Sequence, residues 1–179
     1  MTTYKSLRKR YWLFVLGWVS LVYSTLYIVR PICDFLKATT PFSFLINVLC
    51  SAFLISIVMR LWMKIRIRQW SSYLIVIMVV LAYVYGLVTL QLSSEKIHFI
   101  EYGFLAYLVI KAISLDIKKP IAYGFAFLLV SIIGWIDEGI QNILPNRYYS
   151  MDDVILNSIS GALVLLLVFV FKEEQKMYT

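Results

Sequence analysis

Long apolar runs separated by short polar segments make up most of this chain. The runs cover residues 11–30, 42–63, 71–92, 97–115, 120–138 and 153–171. Each reaches or approaches the length of about 20 residues with which a helix crosses the hydrocarbon core of a bilayer. Lipid offers no hydrogen-bond partner to exposed backbone groups, so every run is predicted to be helical. The sequence therefore predicts an all-α polytopic membrane bundle with about six transmembrane helices.

The composition agrees with a membrane setting. Hydrophobic residues make up 61% of the 179 residues and charged residues 15%, whereas soluble domains average about 45–50% and about 25%. A soluble fold of this size cannot hide so much apolar surface. The net charge of +7 fits Lys and Arg in cytoplasmic loops, so it does not indicate a nucleic-acid partner. Membrane lipids and other membrane proteins are the predicted partners.

Connections rich in Lys and Arg alternate with connections that have few. The basic segments are the N-terminus, the second and fourth connections and the C-terminus, with Lys5, Arg8, Lys9, Arg10, Arg60, Lys64, Arg66, Arg68, Lys111, Lys118, Lys119, Lys172 and Lys176. The other connections hold only Arg30 with Lys37, then Lys96, then Arg147. By the positive-inside rule, both termini are predicted to be cytoplasmic. The third and fifth connections then lie on the extracytoplasmic side.

Polar side chains concentrate near the predicted outer ends of the last three runs. The stretches are "KIHFIEYG" from residue 96, "DEGIQNILPNRYY" from residue 137 and "DDVILNSISG" from residue 152. Polar residues recur three or four positions apart within each stretch, which places them on one helix face. Side chains this polar in membrane helices normally face a bundle interior or a wet cavity. We therefore expect one outward-facing recess lined by His98, Glu101, Asp137, Glu138, Gln141, Asp153 and Asn157.

Asp137 and Glu138 are adjacent, so their side chains diverge by about 100° on a helix. One acid is expected to cap the helix or pair with Arg147 while the other, Asp137, faces the recess. A structural Asp–Arg tie, an acid/base carboxylate, and the binding of a head group or a partner are the roles left open. The stretch "LPNR" is typical of a tight turn, with Pro145 at its second position and Asn146 at its third. This turn would orient Arg147, whose planar guanidinium suits a phosphate or a carboxylate.

His98 is the only histidine of the chain, and three roles are open for it. It is a hydrogen-bonded partner of a carboxylate, a general acid or base, or a ligand of a metal or haem. No second histidine and no cysteine cluster supports zinc, and no carboxylate spacing demands Mg²⁺ or Ca²⁺, so no metal site is predicted. Asn157, Ser160 and Gly161 are most simply residues that allow close helix packing. The sequence indicates no particular cofactor.

Three blocks of residues resemble the VanZ-like family of integral membrane proteins. The blocks consist of Lys96, His98 and Tyr102, then Asp137, Glu138, Gln141, Pro145 and Arg147, then Asp153, Asn157 and Gly161. The chain departs from the family at Asn146, where the family usually has Gly, and its Lys96–His98 spacing is one residue tighter than in some members. The resemblance covers about the last 110 residues. It implies an N-terminal transmembrane helix pair at 1–70 and a VanZ-like four-helix membrane core at 71–179.

The resemblance also implies a bacterial cell-envelope protein of the inner or plasma membrane. The family is named after a protein linked to teicoplanin resistance. Combined with the polar recess, this leads to a first hypothesis, in which the recess binds or processes an outer-leaflet lipid or a lipid-linked glycan and affects glycopeptide susceptibility. His98, Asp137 and Glu138 are then the candidate catalytic residues. The candidate substrate-binding residues are Glu101, Gln141, Arg147, Asp153 and Asn157.

Two other classes of function stay open, and so does the question of whether the protein is an enzyme. A chain with short loops and no soluble domain also suits a non-catalytic subunit or assembly factor of a larger membrane complex. A small transporter is less favoured, because no pair of helices is interrupted by Gly and Pro in the manner of transporter binding sites.

Overall fold

Helices account for all the regular secondary structure in the part of the chain that the structure describes. A computed structural model of the protein describes residues 2–42, 44–49, 51–52, 55, 59, 69–90, 93–117, 120–145 and 147–176. The helices are α1 (Thr2–Thr39), α2 (Trp70–Thr89), α3 (Ser93–Ile113), α4 (Ile121–Gln141) and α5 (Met151–Lys176). Described residues between α1 and α2 are also helical at 42, 44–49, 51–52, 55 and 59. The predicted all-α class is confirmed.

Four segments of the described helices are long and apolar enough to cross a membrane. They are Tyr4–Ile28, Trp70–Thr89, Ile121–Gln141 and Met151–Lys172. They correspond to the predicted runs 11–30, 71–92, 120–138 and 153–171, so the chain has the helices of a membrane protein. Half of the residues in the predicted run 42–63 lie outside the described residues, so this span stays a prediction.

Helix α3 covers most of the fourth predicted run, 97–115, but is less apolar than those four segments. It carries the charged residues Glu95, Lys96, Glu101 and Lys111. Many of its hydrophobic side chains are nevertheless enclosed, with exposures of 2% or less at Phe99, Tyr102, Leu105, Ala106, Val109 and Ile110. A helix surrounded by protein on most sides does not need a lipid-compatible surface all round, which explains why its composition is mixed.

Helix α1 continues well past the predicted end of its apolar run. It includes Pro31 and ends at Thr39. Proline removes one backbone hydrogen bond, a loss that membrane helices tolerate because neighbouring groups can satisfy the freed carbonyl. The hydroxyl groups of Thr39 and Thr40 donate to the carbonyl oxygens of Phe35 at 2.9 Å and Leu36 at 2.7 Å, at the end of the helix.

The chain forms two compact units. Unit 1 contains Met1–Pro31 and His98–Leu165, and unit 2 contains Ile32–Ile97 and Leu166–Thr179. Helices α1, α3 and α5 each contribute residues to both units. The units follow a different division from the predicted 1–70 and 71–179, which stays a prediction.

Small residues allow the helices of unit 1 to pack closely. A Cβ atom placed on Gly161 of α5 would lie 2.9 Å from Cγ1 of Val130 on α4 and 3.7 Å from Cβ of Ala106 on α3. Val130 and Ala106 are both fully buried. Close backbone approach at small residues is the usual packing device of membrane helices, and Gly161 was predicted to serve it.

Unit 1 has two distinct polar ends. At one end, the Tyr4 hydroxyl donates to Oδ1 of Asp116 at 3.4 Å, and Nε of Arg8 lies 3.0 Å from Oδ2 of Asp116. At the other end, Nη2 of Arg147 donates to the carbonyl oxygen of Leu26 at 3.3 Å. Tyr4 and Leu26 are 22 residues apart along α1. That length of helix spans about 33 Å, close to the hydrocarbon thickness of about 30 Å.

Candidate functional site

The buried face of α4 changes from apolar to polar along its length. Apart from one adjacent pair, the buried residues recur every three or four positions: Ala122, Ala126, Val130, Gly134, Asp137, Glu138 and Gln141. The polar residues therefore continue the same helix face as the apolar ones. Asp137, Glu138 and Gln141 are 0%, 1% and 3% exposed. All three side chains are thus turned toward neighbouring helices.

Asp137 belongs to an inner cluster, which we define as His98, Glu101, Tyr102 and Asp137. The Tyr102 hydroxyl donates to Oδ2 of Asp137 at 2.8 Å. Nδ1 of His98 lies 3.9 Å from the same oxygen and 3.2 Å from Oε2 of Glu101. A phenol, an imidazole and two carboxylates at these distances can relay a proton, and they can also hydrogen-bond hydroxyl groups.

Glu138 belongs to a second set, the loop network, which we define as Glu138, Gln141, Arg147 and Ser150. Nε2 of Gln141 donates to Oε1 of Glu138 at 2.7 Å, and Nη1 of Arg147 donates to Oε1 of Gln141 at 2.9 Å. The backbone N–H of Ser150 donates to Oε2 of Glu138 at 3.3 Å. The loop after α4 is therefore fixed to the buried face of that helix.

The two adjacent acids have the different roles that their 100° divergence requires. Asp137 contacts Tyr102 across the gap between α3 and α4, whereas Glu138 holds the loop that follows α4. Gln141 lies on the same buried face as both acids, and its amide N–H donates to Glu138.

The predicted turn before Arg147 is present as a hydrogen bond. The backbone N–H of Arg147 donates to the carbonyl oxygen of Leu144 at 3.3 Å, which is the i to i+3 bond of a β-turn around Pro145. The predicted backbone conformation of Asn146 lies outside the described residues. This bond constrains the backbone at Arg147, and the Arg147 side chain bonds to Gln141.

Helix α5 begins with a side-chain cap beside the loop network. The backbone N–H of Asp153 donates to Oγ of Ser150 at 3.3 Å, the contact that an N-cap serine makes with the third residue of a helix. Asp152 and Asp153 occupy the first turn, where negative charge is favourable next to the helix dipole. Asp153 is half-buried.

Asn157 and Ser160 lie one and two turns further along α5. A Cβ atom on Gly134 would lie 3.2 Å from Cβ of Asn157 and 3.3 Å from Cε1 of Tyr102, so Gly134 provides the space in which these two side chains lie. The Ser160 hydroxyl donates to the carbonyl oxygen of Phe99. Both contacts agree with the predicted packing roles of Asn157 and Ser160.

Several buried polar atoms of the site have no hydrogen-bond partner among the residues that the structure describes. They are Nε2 of His98, Oδ1 of Asp137, and Oδ1 and Nδ2 of Asn157. Buried polar groups nearly always have a partner. His98 of α3, Asp137 of α4 and Asn157 of α5 can therefore each form a further hydrogen bond.

The structure brings all eight predicted site residues into unit 1. Those that are buried are His98, Asp137, Glu138, Gln141 and Asn157. Those that are half-buried are Glu101, Arg147 and Asp153. The site is therefore mostly enclosed, and the three half-buried charged residues are its accessible part.

No group of three or more His, Cys, Asp or Glu side chains within the described ranges is arranged to hold a metal ion. His98 is close to two carboxylates but to no second imidazole or thiolate in that part of the chain. Acid/base chemistry and hydrogen bonding are the chemical capacities that the arrangement offers.

Comparison with protein-family models, curated proteins and solved structures gives no match for this chain.

Two contributions to the site were missed from the sequence. One is the bond from Tyr102 to Asp137, because the spacing of Tyr102 and His98 along α3 indicates no partner on α4. The contribution of α1 was also missed, since the indole N–H of Trp18 donates to the carbonyl oxygen of Glu101 at 3.2 Å and the Tyr23 hydroxyl donates to that of Ile133 at 2.8 Å. Aromatic donors inside an apolar run are the signal that could have revealed this, because a buried N–H or O–H needs an acceptor.

Proposed function

We propose that this chain is an integral membrane protein of the cell envelope that binds, and in one version of the proposal processes, a lipid-linked glycan or an outer-leaflet lipid at the polar site of unit 1. The observation that carries the proposal is a set of ionisable and amide side chains enclosed at one end of unit 1, with hydrogen-bonding capacity left at His98, Asp137 and Asn157. Ionisable residues within membrane helices are costly and usually mark a functional site.

The chemistry of the site suits a ligand that has both hydroxyl and phosphate groups. Carboxylates and amides of Asp137, Glu101 and Asn157 can accept from and donate to sugar hydroxyls. Arg147 is half-buried at the edge of the loop network, where its guanidinium suits the phosphate of a lipid carrier. His98, Asp137 and Glu138 would supply acid/base groups if the bound glycan or lipid is chemically changed.

The resemblance to the VanZ-like family adds the cellular setting to this proposal. It points to a bacterial inner or plasma membrane and to an effect on susceptibility to teicoplanin. Within the proposal, occupation of the site by a lipid-linked precursor of the cell wall is what would connect the protein to a glycopeptide antibiotic.

The proposal includes six transmembrane helices with both termini cytoplasmic and the polar site on the extracytoplasmic side. The pairing of Tyr4 and Arg8 with Asp116 supports it, since the N-terminus and the fourth connection are both predicted to be cytoplasmic. The contact of Arg147 with Leu26, a membrane thickness away along α1, supports placing the site on the opposite side.

Cysteine labelling in intact cells tests this orientation. Cys33 and Cys50 are first replaced by Ser, and one cysteine is then introduced at the exposed Ile143 or at Lys5. A membrane-impermeant maleimide should label the cysteine at 143 in intact cells and the cysteine at 5 only after lysis. Labelling at 5 before lysis would contradict the orientation.

A binding measurement tests the proposed ligand. A prenyl phosphate is titrated onto the purified protein in mild detergent, with Arg147→Gln as the variant and Arg8→Gln as the matched control. Both changes remove one guanidinium from unit 1, but Arg8 is at the other end beside Asp116. We expect Arg147→Gln to weaken binding by about tenfold or more, since a charge-assisted hydrogen bond to phosphate is lost, and Arg8→Gln to leave binding unchanged.

Two further results separate a binding role from a folding role of Arg147. Arg147→Lys keeps the charge without the planar fork, so its affinity should lie between those of the wild type and Arg147→Gln. Thermal unfolding reports whether the loop network is still formed in each variant. Absence of binding by the wild type, or equal loss in Arg147→Gln and Arg8→Gln, would rule out the proposed ligand site.

A second candidate function is that of a non-catalytic subunit or assembly factor. The observation that favours it is the loop network, in which Glu138, Gln141, Arg147 and Ser150 bond to one another as purely structural groups do. Purification under mild conditions discriminates the two functions. A partner protein at fixed stoichiometry would favour the subunit role, and a solitary chain that binds prenyl phosphate would favour the first proposal.

A further inference from the structure

Unit 2 contains a groove of about 600 Å³ that has apolar walls and one polar end. Its lining includes Asn47, Ser51, Val80, Val84, Leu87 and Lys96. The volume lies within the range of about 300–1,000 Å³ that is usual for sites of small molecules. The valines and the leucine come from α2, one of the four helices that are apolar enough to cross a membrane.

Lys96 is a buried cation at the polar end of this groove. It is 6% exposed, and its Nζ donates to Oδ1 of Asn47 at 2.6 Å. No carboxylate among the described residues forms an ion pair with it. An ammonium group has three donors, and a charge taken out of water needs a counter-charge. A neutral amide alone leaves that requirement unmet.

Snorkelling does not account for Lys96. A lysine near the end of a membrane helix often extends its ammonium to the aqueous interface. Lys96 is too enclosed for that arrangement, because its side chain is nearly covered and bonded to Asn47. An anionic group that reaches Lys96 within the groove would supply the counter-charge that Asn47 does not.

The walls of the groove indicate what carries this anionic group. Val84 and Val88 line it and are themselves exposed on α2, so the groove opens at an apolar surface. Next to a membrane-spanning helix, such a surface faces acyl chains. A molecule that joins an acyl chain to an anion complements both parts of the groove.

We propose that the groove of unit 2 binds an anionic phospholipid, with the phosphate on Lys96 and one acyl chain along Val80, Val84 and Leu87. This site has different residues from the polar site of unit 1 and does not depend on the function proposed there. The family resemblance includes Lys96 but implies no role for it. The proposed phospholipid phosphate is the ligand of Lys96.

Native mass spectrometry of the full chain in mild detergent tests the proposal. Phosphatidylglycerol and phosphatidylcholine with the same acyl chains are added in competition. The wild type should retain phosphatidylglycerol preferentially, by about tenfold, because the ammonium favours the anionic lipid. Lys96→Met should remove this preference, whereas the control Lys111→Met, which removes another lysine of α3, should keep it.

Two more variants keep the test decisive if Lys96→Met does not fold. Lys96→Arg retains the positive charge and should keep the preference for phosphatidylglycerol. Val84→Trp fills the groove from an exposed position and should lower retention of both lipids. Equal retention of the two lipids by the wild type, or the same loss of preference in Lys96→Met and Lys111→Met, would overturn the proposal.

Discussion

Replacing Gly161 with Ala tests how tightly the helices of unit 1 pack. The added Cβ would lie 2.9 Å from Cγ1 of Val130, whereas carbon atoms in good contact are about 3.5–4.0 Å apart. Val130 is 0% exposed and its β-branched side chain is stiff, so it cannot simply rotate away. Helices α4, which carries Val130, and α5, which carries Gly161, must therefore move apart by roughly 0.6–1.1 Å.

The size of the expected effect follows from two opposing contributions. Overpacking of a well-packed core costs about 1–3 kcal/mol. Removing a glycine from a helix interior returns about 0.5–1 kcal/mol. We therefore expect Gly161→Ala to lower the free energy of unfolding by about 0–2.5 kcal/mol, and by about 1–3 kcal/mol relative to a glycine-to-alanine change without overpacking. Gly124→Ala is the matched control, because a Cβ at that position has no atom within 4 Å beyond its chain neighbours and the local helix backbone, and it should be neutral or stabilising.

The assay is equilibrium unfolding in mixed micelles by titration with sodium dodecyl sulfate, followed by circular dichroism. Val130→Ala removes the atom that the new Cβ would meet, so the double variant should be more stable than the sum of the two single effects predicts. If Gly161→Ala is as stable as Gly124→Ala, or if Val130→Ala gives no rescue, the close approach of α4 and α5 at Gly161 is refuted.

Three other substitutions give predictions for the same unfolding assay. Tyr102→Phe removes the donor to Asp137 and should destabilise by about 1–3 kcal/mol, with Tyr107→Phe at an exposed site as the control that stays near wild type. Ser150→Ala removes the side-chain cap of α5 and should cost about 0.5–2 kcal/mol, and an unchanged stability would contradict the cap. Arg8→Gln breaks an exposed ion pair and should change stability by less than about 1 kcal/mol, so a larger loss would show that this end of unit 1 is more important than its exposure indicates.

The fold class was predictable because lipid leaves a segment little choice of structure. Long apolar runs must form helices in a bilayer, and four of them are found as helices apolar enough to cross it. The exact ends were less predictable. Helix α1 passes through Pro31 to Thr39, since proline only removes one bond and does not by itself end a membrane helix.

The shared helix face of Asp137, Glu138 and Gln141 was also readable from their spacing along the chain. Asp137 and Gln141 continue the stripe of Ala126, Val130 and Gly134, and helical periodicity alone puts such residues on one face. The hydrogen-bond partners on neighbouring helices could not be predicted from this spacing. The bonds from Tyr102 to Asp137 and from Arg147 to Leu26 depend on how α1, α3 and α4 pack, which local periodicity does not specify.

The compact units show a further limit of reading along the chain. The VanZ-like resemblance begins after the first 70 residues, so it gave α1 no part in the site. In the structure, Met1–Pro31 belong to the same unit as the polar residues, and Trp18 and Leu26 bond directly to the site. A helix with few motif residues can still supply backbone and aromatic partners, because those contacts need position more than residue identity.

Native mass spectrometry of the protein extracted in mild detergent, with no lipid added, tests the central proposal most directly. The account predicts a solitary chain that carries a prenyl phosphate or a lipid-linked glycan, and that this mass is lost in Arg147→Gln but kept in Arg8→Gln. A chain that carries no such ligand and purifies in fixed stoichiometry with other membrane proteins would contradict it. The polar residues of unit 1 would then hold helices and loop together within a larger complex.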